Sequence, residues 1–158
     1  MLKELPIGYD NFKEVIEENL YYVDKTDIIS DLLTKKNKVS LFPRPRRFGK
    51  SLFISMLDNF FNIEYSGMNN KLFDGLKISK SKYYNELSTR PVILLDFKSL
   101  KNSNYDSMYS AYKTLIYNLY QDKEYMCEYL TDTEKKLFDK FINKTADEIE
   151  YQQAVFSF

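Results

Sequence analysis

Seven residues, 43–49, separate a short β-favouring run from a long helix-patterned segment, and that spacing constrains the local fold more than any other feature of the chain. The run is Val39-Ser40-Leu41-Phe42, closed by Pro43, which cannot donate to a strand ladder. Residues 50–63 contain neither glycine nor proline and place Phe53, Met56, Leu57, Phe60 and Phe61 at helical spacing. Strand, tight loop and helix are therefore expected in that order. The loop holds Arg44, Arg46 and Arg47, three of only four arginines in the chain, with two of its four prolines, directly before Gly49-Lys50-Ser51. The remaining positive charges, apart from Arg90, are lysines spread along the sequence. The clustering implies a local requirement for guanidinium groups.

The rest of the chain sets the frame. Phe12, Val15, Ile16 and Leu20 form a helical stripe over residues 10–20, and Tyr21-Tyr22-Val23-Asp24 is a short β-favouring run. Asp24 is a candidate cap for a helix carrying Ile28, Ile29, Leu32 and Leu33. Residues 64–90 read as a loop with a short helix near Lys71 to Phe73. Val92 to Leu95, continuing to Asp96 and Phe97, is the strongest strand signal, because a run apolar on both faces suits a central parallel strand. Helices are expected over 105–129, over 131–144 with a Thr131/Glu134 capping box, and from Ala146 onward. This alternation predicts an α/β domain, a mostly parallel sheet flanked by helices, incomplete because two or three strands are too few. A segment 1–36 would precede the half-domain 37–158. The apolar, uncapped run Val155-Phe156-Ser157-Phe158 is expected to be a cut end that docks on a missing half or a second copy.

Composition removes several chemistries. With no histidine there is no imidazole acid or base and no histidine-based zinc site. A single cysteine, Cys127, excludes an internal disulfide, and no basic neighbour suggests an activated thiol. Formal net charge is zero, so an anion must be caught by a local patch and not by the whole molecule. No apolar run reaches the roughly 18 residues of a membrane span, and the N-terminus lacks a secretory layout. The expectation is a cytoplasmic protein with no membrane partner.

A strand, a tight loop and Gly-Lys-Ser opening a helix is the layout of a phosphate-binding loop. Backbone amides and the positive end of the helix dipole face an anion there. In such loops the lysine reaches β- and γ-phosphates and the serine hydroxyl ligates Mg²⁺. Arg44 stands where the pattern G-x-x-x-x-G-K-[ST] has its first glycine. Arginine side chains can replace lost backbone contacts by bidentate bonds to phosphate. The plainer alternative is a basic helix start on a solvated turn.

The stretches 6–33 and 39–61 resemble the N-terminal part of the AAA-ATPase-like family, whose members often carry a PD-(D/E)XK-type nuclease domain. The resemblance rests on Tyr22-Val23-Asp24-Lys25-Thr26, on Arg44-Pro45-Arg46-Arg47-Phe48-Gly49-Lys50-Ser51 and on Pro91-Val92-Ile93-Leu94-Leu95-Asp96-Phe97. It implies ATP and Mg²⁺ as ligands, with residues 44–51 around the phosphates, Lys50 on the β/γ-phosphates and Ser51 on the metal. Asp24, Lys25 and Thr26 would shape the pocket or, more simply, cap a helix. The resemblance also implies an acidic Asp-Glu pair soon after the helix near Ala146, and the sequence ends before one. ATPase activity is thus implied for full-length relatives, and weak or no hydrolysis for this stretch. Asp96 is a candidate Mg²⁺ ligand, although Phe97 follows where a glutamate would sit, and a cap is the simpler role. Two other readings remain: a nucleic-acid phosphate-binding module using Arg44, Arg46 and Arg47, or a non-catalytic interaction fragment. The tyrosines from Tyr105 to Tyr120 could stack bases, but their helical spacing fits packing between helices. An absent nuclease domain would be a further route to nucleic acid.

Overall fold

The computed structural model describes residues 2–68, 71–101 and 103–156. They form two compact units, Met1–Val92 and Ile93–Phe158.

Three helices organise the first unit: α1 (Phe12–Glu17), α2 (Asp27–Lys35) and α3 (Lys50–Phe61). α1 begins where the Asn11 side chain accepts from the Lys13 amide at 2.9 Å, satisfying one of the free N–H groups of a helix start. Its inward face, Phe12 and Val15, is fully buried. The core joins Phe12, Ile29, Met56 and Phe60 to Leu72, Phe73 and Ile78, which come from turns and short 3₁₀ segments. The Phe73 ring stacks on Phe12 at 5.0 Å and meets Phe60 edge-on at 5.2 Å, so one aromatic from a non-helical segment joins two helices. No helix forms at Lys71 to Phe73, where the backbone is a series of turns.

The second unit is built on α4 (Tyr105–Asp122), α5 (Asp132–Ile142) and α6 (Glu148–Gln153). The capping box at Thr131 and Glu134 is present, and Asp147 and Glu150 form another. Helicity expected to reach residue 129 is α-helical only to Asp122 and then tightens to 3₁₀ over Glu124–Tyr129. Ile116, Tyr120, Phe138, Phe141, Tyr151 and Ala154 make the core. The Tyr120 hydroxyl donates to the Ala154 carbonyl at 2.9 Å and Tyr112 to that of Tyr151 at 2.8 Å, so these tyrosines pack helices together. Burial pushes the Cys127 thiol up, away from thiolate chemistry. Of the expected apolar end, Val155 and Phe156 lie in a 3₁₀ turn, and Ser157 and Phe158 are outside the described residues.

The expected α/β architecture with a mostly parallel sheet is not what forms. Among the described residues there is no strand, only an isolated parallel bridge between Asn62 and Arg90. Residues 39–42 and 91–96 are irregular and make no strand ladder; Val39 and Leu41 are each 85% exposed. The reason is physical. β-propensity measures how well a side chain fits a pleated, half-buried surface, and no partner strand among the described residues supplies that surface.

Candidate phosphate-binding groove

α3 starts abruptly. Gly49 occupies its N-cap position in the left-handed region (φ 68°), and Arg47 is also left-handed (φ 64°), so the chain turns sharply around Phe48. Glycine is suited to such a position; at Gly49 an added Cβ would meet nothing within 4 Å, so alanine would cost only conformational strain, about 1 kcal/mol. No side chain caps α3 and no acidic residue lies in its first turn. The amides of Lys50, Ser51 and Leu52 make no hydrogen bond among the described residues, while the Phe53 amide bonds the Gly49 carbonyl at 2.9 Å. Unpaired donors, the helix dipole and nearby cations together favour an anion.

Lys50 donates from Nζ to the Arg44 carbonyl at 2.6 Å and so closes the loop on itself. Arg44, Arg46 and Arg47 form no ion pair among the described residues, leaving their charge uncompensated. Arg47, Gly49, Lys50, Ser51 and Leu52 line a groove of about 680 Å³ whose other side is residues 6–10. Arg44, Pro45, Arg46 and Phe48 are exposed and lie outside that lining. The arginine-rich stretch thus divides: Arg47 joins Lys50 and Ser51 at the groove, and the others face solvent.

Asp24 and Thr26 have a different setting. Asp24 Oδ1 accepts from the Thr26 amide (2.9 Å) and hydroxyl (2.7 Å), and Oδ2 accepts from the Lys77 amide at 2.7 Å. Thr26, fully buried, accepts through Oγ1 from the Ile78 amide at 3.1 Å. The pair fastens the start of α2 to residues 77–78, and none of Asp24, Lys25 and Thr26 lines the groove. Thr26→Val is expected to destabilise the first unit by about 1–3 kcal/mol in urea denaturation, because the Ile78 N–H loses its buried acceptor. Burial pushes the Asp24 carboxyl up, but hydrogen bonds from Thr26 and Lys77 outweigh it, so its net pKa is lowered. A lowered folded pKa stabilises above the ordinary carboxylate value, about 3.9, and the contribution is lost as pH falls through the folded value. Asp24→Asn should accordingly flatten the acid limb of a thermal-stability profile below about pH 4.

Asp96 caps the 3₁₀ turn Phe97–Leu100, accepting from the Lys98 amide at 2.9 Å, and its other oxygen pairs with Lys98 Nζ at 3.5 Å. No group of three or more acidic or cysteine side chains placed to hold a metal occurs among the described residues.

Sequence reasoning missed the second side of the groove. Residues 6–10, Pro-Ile-Gly-Tyr-Asp, lie in the stretch that carries the family resemblance, and Pro6 and Gly8 are turn signals. Nothing local told that this turn comes back over the start of α3.

A family model described as a predicted AAA-ATPase, the AAA-ATPase-like family, matches residues 6–156. The chain is also similar to the uncharacterized protein in vnfD 5'region of Azotobacter chroococcum mcd 1, at 42% identity over 77 residues. That match covers 48% of this chain and 14% of the relative, so it spans about a seventh of that protein's length. No solved structure matches. No helix among the described residues is long and apolar enough to cross a membrane.

Proposed function

The chain belongs to the AAA-ATPase-like family of predicted AAA-ATPases, and from that premise we propose that its groove binds ATP with Mg²⁺ through the start of α3. One observation carries the reading: an acid-free helix start with unpaired amides opens onto the same groove as Arg47, Lys50 and Ser51. Each group has a distinct task. The Lys50 ammonium leaves the Arg44 carbonyl for the β/γ-phosphates, because an anionic phosphate adds charge–charge attraction that a neutral carbonyl does not offer. Ser51 would offer its hydroxyl to Mg²⁺ brought with the nucleotide, and Arg47 would neutralise phosphate charge. Turnover would be slow, since among the described residues that line the groove Asp10 is the one carboxylate that could hold a metal or orient a water. The setting is cytoplasmic, where ATP is held.

Calorimetric titration of Mg·ATP at low and moderate salt tests this. Saturable binding supports it, and no heat at either salt overturns it. The exposed Arg44 and Arg46, outside the groove, favour one competing reading, a grip on nucleic-acid phosphates. That reading requires affinity for an oligonucleotide that falls steeply with salt and ignores ATP.

A further inference from the structure

A second cavity, of about 430 Å³, lies in the first unit and shares no lining residue with the groove. Its walls come from Lys3, from the end of α1 and the residues after it, and from the turns between Leu72 and Leu76. Leu20, Tyr22 and Leu72 make its apolar part, and Leu20 and Leu72 are otherwise buried. Lys3 and Asp74 add one positive and one negative charge, both on exposed residues. The two charges are opposite in sign and line one cavity, yet neither belongs to an ion pair among the described residues. Asn19 lines it too, and its carboxamide makes no hydrogen bond among the described residues.

Each wall is held in place. The Tyr21 amide donates to the Glu4 carbonyl at 2.7 Å, which keeps the stretch bearing Lys3 beside residues 21–22. α1 ends with the Leu20 amide on the Val15 carbonyl and the Asn19 amide on that of Ile16, both at 3.0 Å. This is the paired C-terminal closure that needs a left-handed residue, and Asn19 supplies it at φ 55°. The Tyr22 ring meets Phe12 edge-on at 5.3 Å, and its hydroxyl donates to Met56 Sδ at 3.3 Å. Asp74 directly follows Phe73, which is fully buried between Phe12 and Phe60. Walls fixed in this way spare a ligand the cost of ordering them.

We propose that this cavity binds a free amino acid with a large apolar side chain. A simple anion would meet Asp74 as well as Lys3, and a simple cation the reverse. A purely apolar molecule would strip water from both charges and give neither a partner. A zwitterion answers both: its carboxylate takes a charge-assisted bond from Lys3 and its ammonium gives one to Asp74. Its side chain then covers Leu20, Tyr22 and Leu72, and the Asn19 carboxamide has a donor and an acceptor for either charged group. The volume lies near the lower end of the roughly 300–1,000 Å³ usual for small-ligand sites, which suits a ligand of this size. The site is independent of the phosphate-binding reading.

The test titrates L-phenylalanine into the full chain, followed by ligand-observed NMR, beside phenethylamine, hydrocinnamate and L-serine. Phenethylamine lacks the carboxylate, hydrocinnamate lacks the ammonium and L-serine lacks the apolar body. Each is expected to bind about tenfold more weakly than L-phenylalanine, the loss of one charge-assisted bond or of one buried apolar side chain. Lys3→Gln should weaken L-phenylalanine about tenfold and leave phenethylamine, which has nothing for Lys3 to hold, within about twofold. Asp74→Asn should weaken L-phenylalanine as much and leave hydrocinnamate within about twofold. Both residues are exposed, so the variants should fold, which circular dichroism checks. No saturable binding of L-phenylalanine, equal affinity for all the probes, or an effect of about twofold or less from either substitution overturns the proposal.

Discussion

Lys50→Ala is expected to weaken Mg·ATP binding roughly ten- to a hundredfold, the loss of one charge-assisted contact worth about 1.5–3 kcal/mol. The side chain is exposed and its present partner is a backbone carbonyl, so folding stability should move by less than about 0.5 kcal/mol. Binding and stability therefore separate at this residue. Lys50→Arg refines the result: it keeps the charge but not the compact ammonium, and recovery of only part of the affinity would mark a lysine-shaped contact. Full affinity in Lys50→Ala would mean that the ammonium closes the loop on Arg44 and does nothing for the ligand.

Phe60→Ala is expected to cost about 3–5 kcal/mol by chemical denaturation, the range for removing a fully buried aromatic ring. Phe60 has no exposed surface and packs against Phe61 at 5.0 Å and Phe73 at 5.2 Å. Its removal opens a void at the point where α3 meets the turn that carries Phe73. The same helix begins at Lys50, so Phe60→Ala should lose nucleotide affinity together with structure, at temperatures where Lys50→Ala remains folded. A loss below about 1 kcal/mol would show that the surrounding side chains collapse into the space.

These two substitutions mark the boundary between what could be read from residue order and what could not. Gly49-Lys50-Ser51 at a helix start, the breaker-free α3 and the Thr131/Glu134 box were legible because each is a relation among residues a few positions apart. Side-chain periodicity and capping act over one helical turn, and one turn of sequence suffices to recognise them. The Tyr112 and Tyr120 contacts followed from the same periodicity.

Long-range pairing was not legible. Val39 and Leu41 have strand-forming side chains, yet strand formation depends on a neighbour that sequence spacing does not name, and among the described residues no ladder forms around them. Asp24 has the composition of a helix cap and spends its second oxygen on the Lys77 amide, 53 positions away. Residues 6–10 face the start of α3 across the groove, beside a bond from the Phe12 amide to Ser55 that joins α1 to α3, 43 positions apart. The sequence by itself determined the main helices, the Thr131/Glu134 capping box and the cationic helix start, but not the α2 cap, which falls on Thr26 and not on Asp24. Tertiary structure decided that no sheet forms among the described residues, that Asp24 and Thr26 hold a core junction, and which surface faces the cations. The difference lies in range: local geometry is stabilised within a turn of chain, whereas a ladder or a groove exists only once distant segments have met.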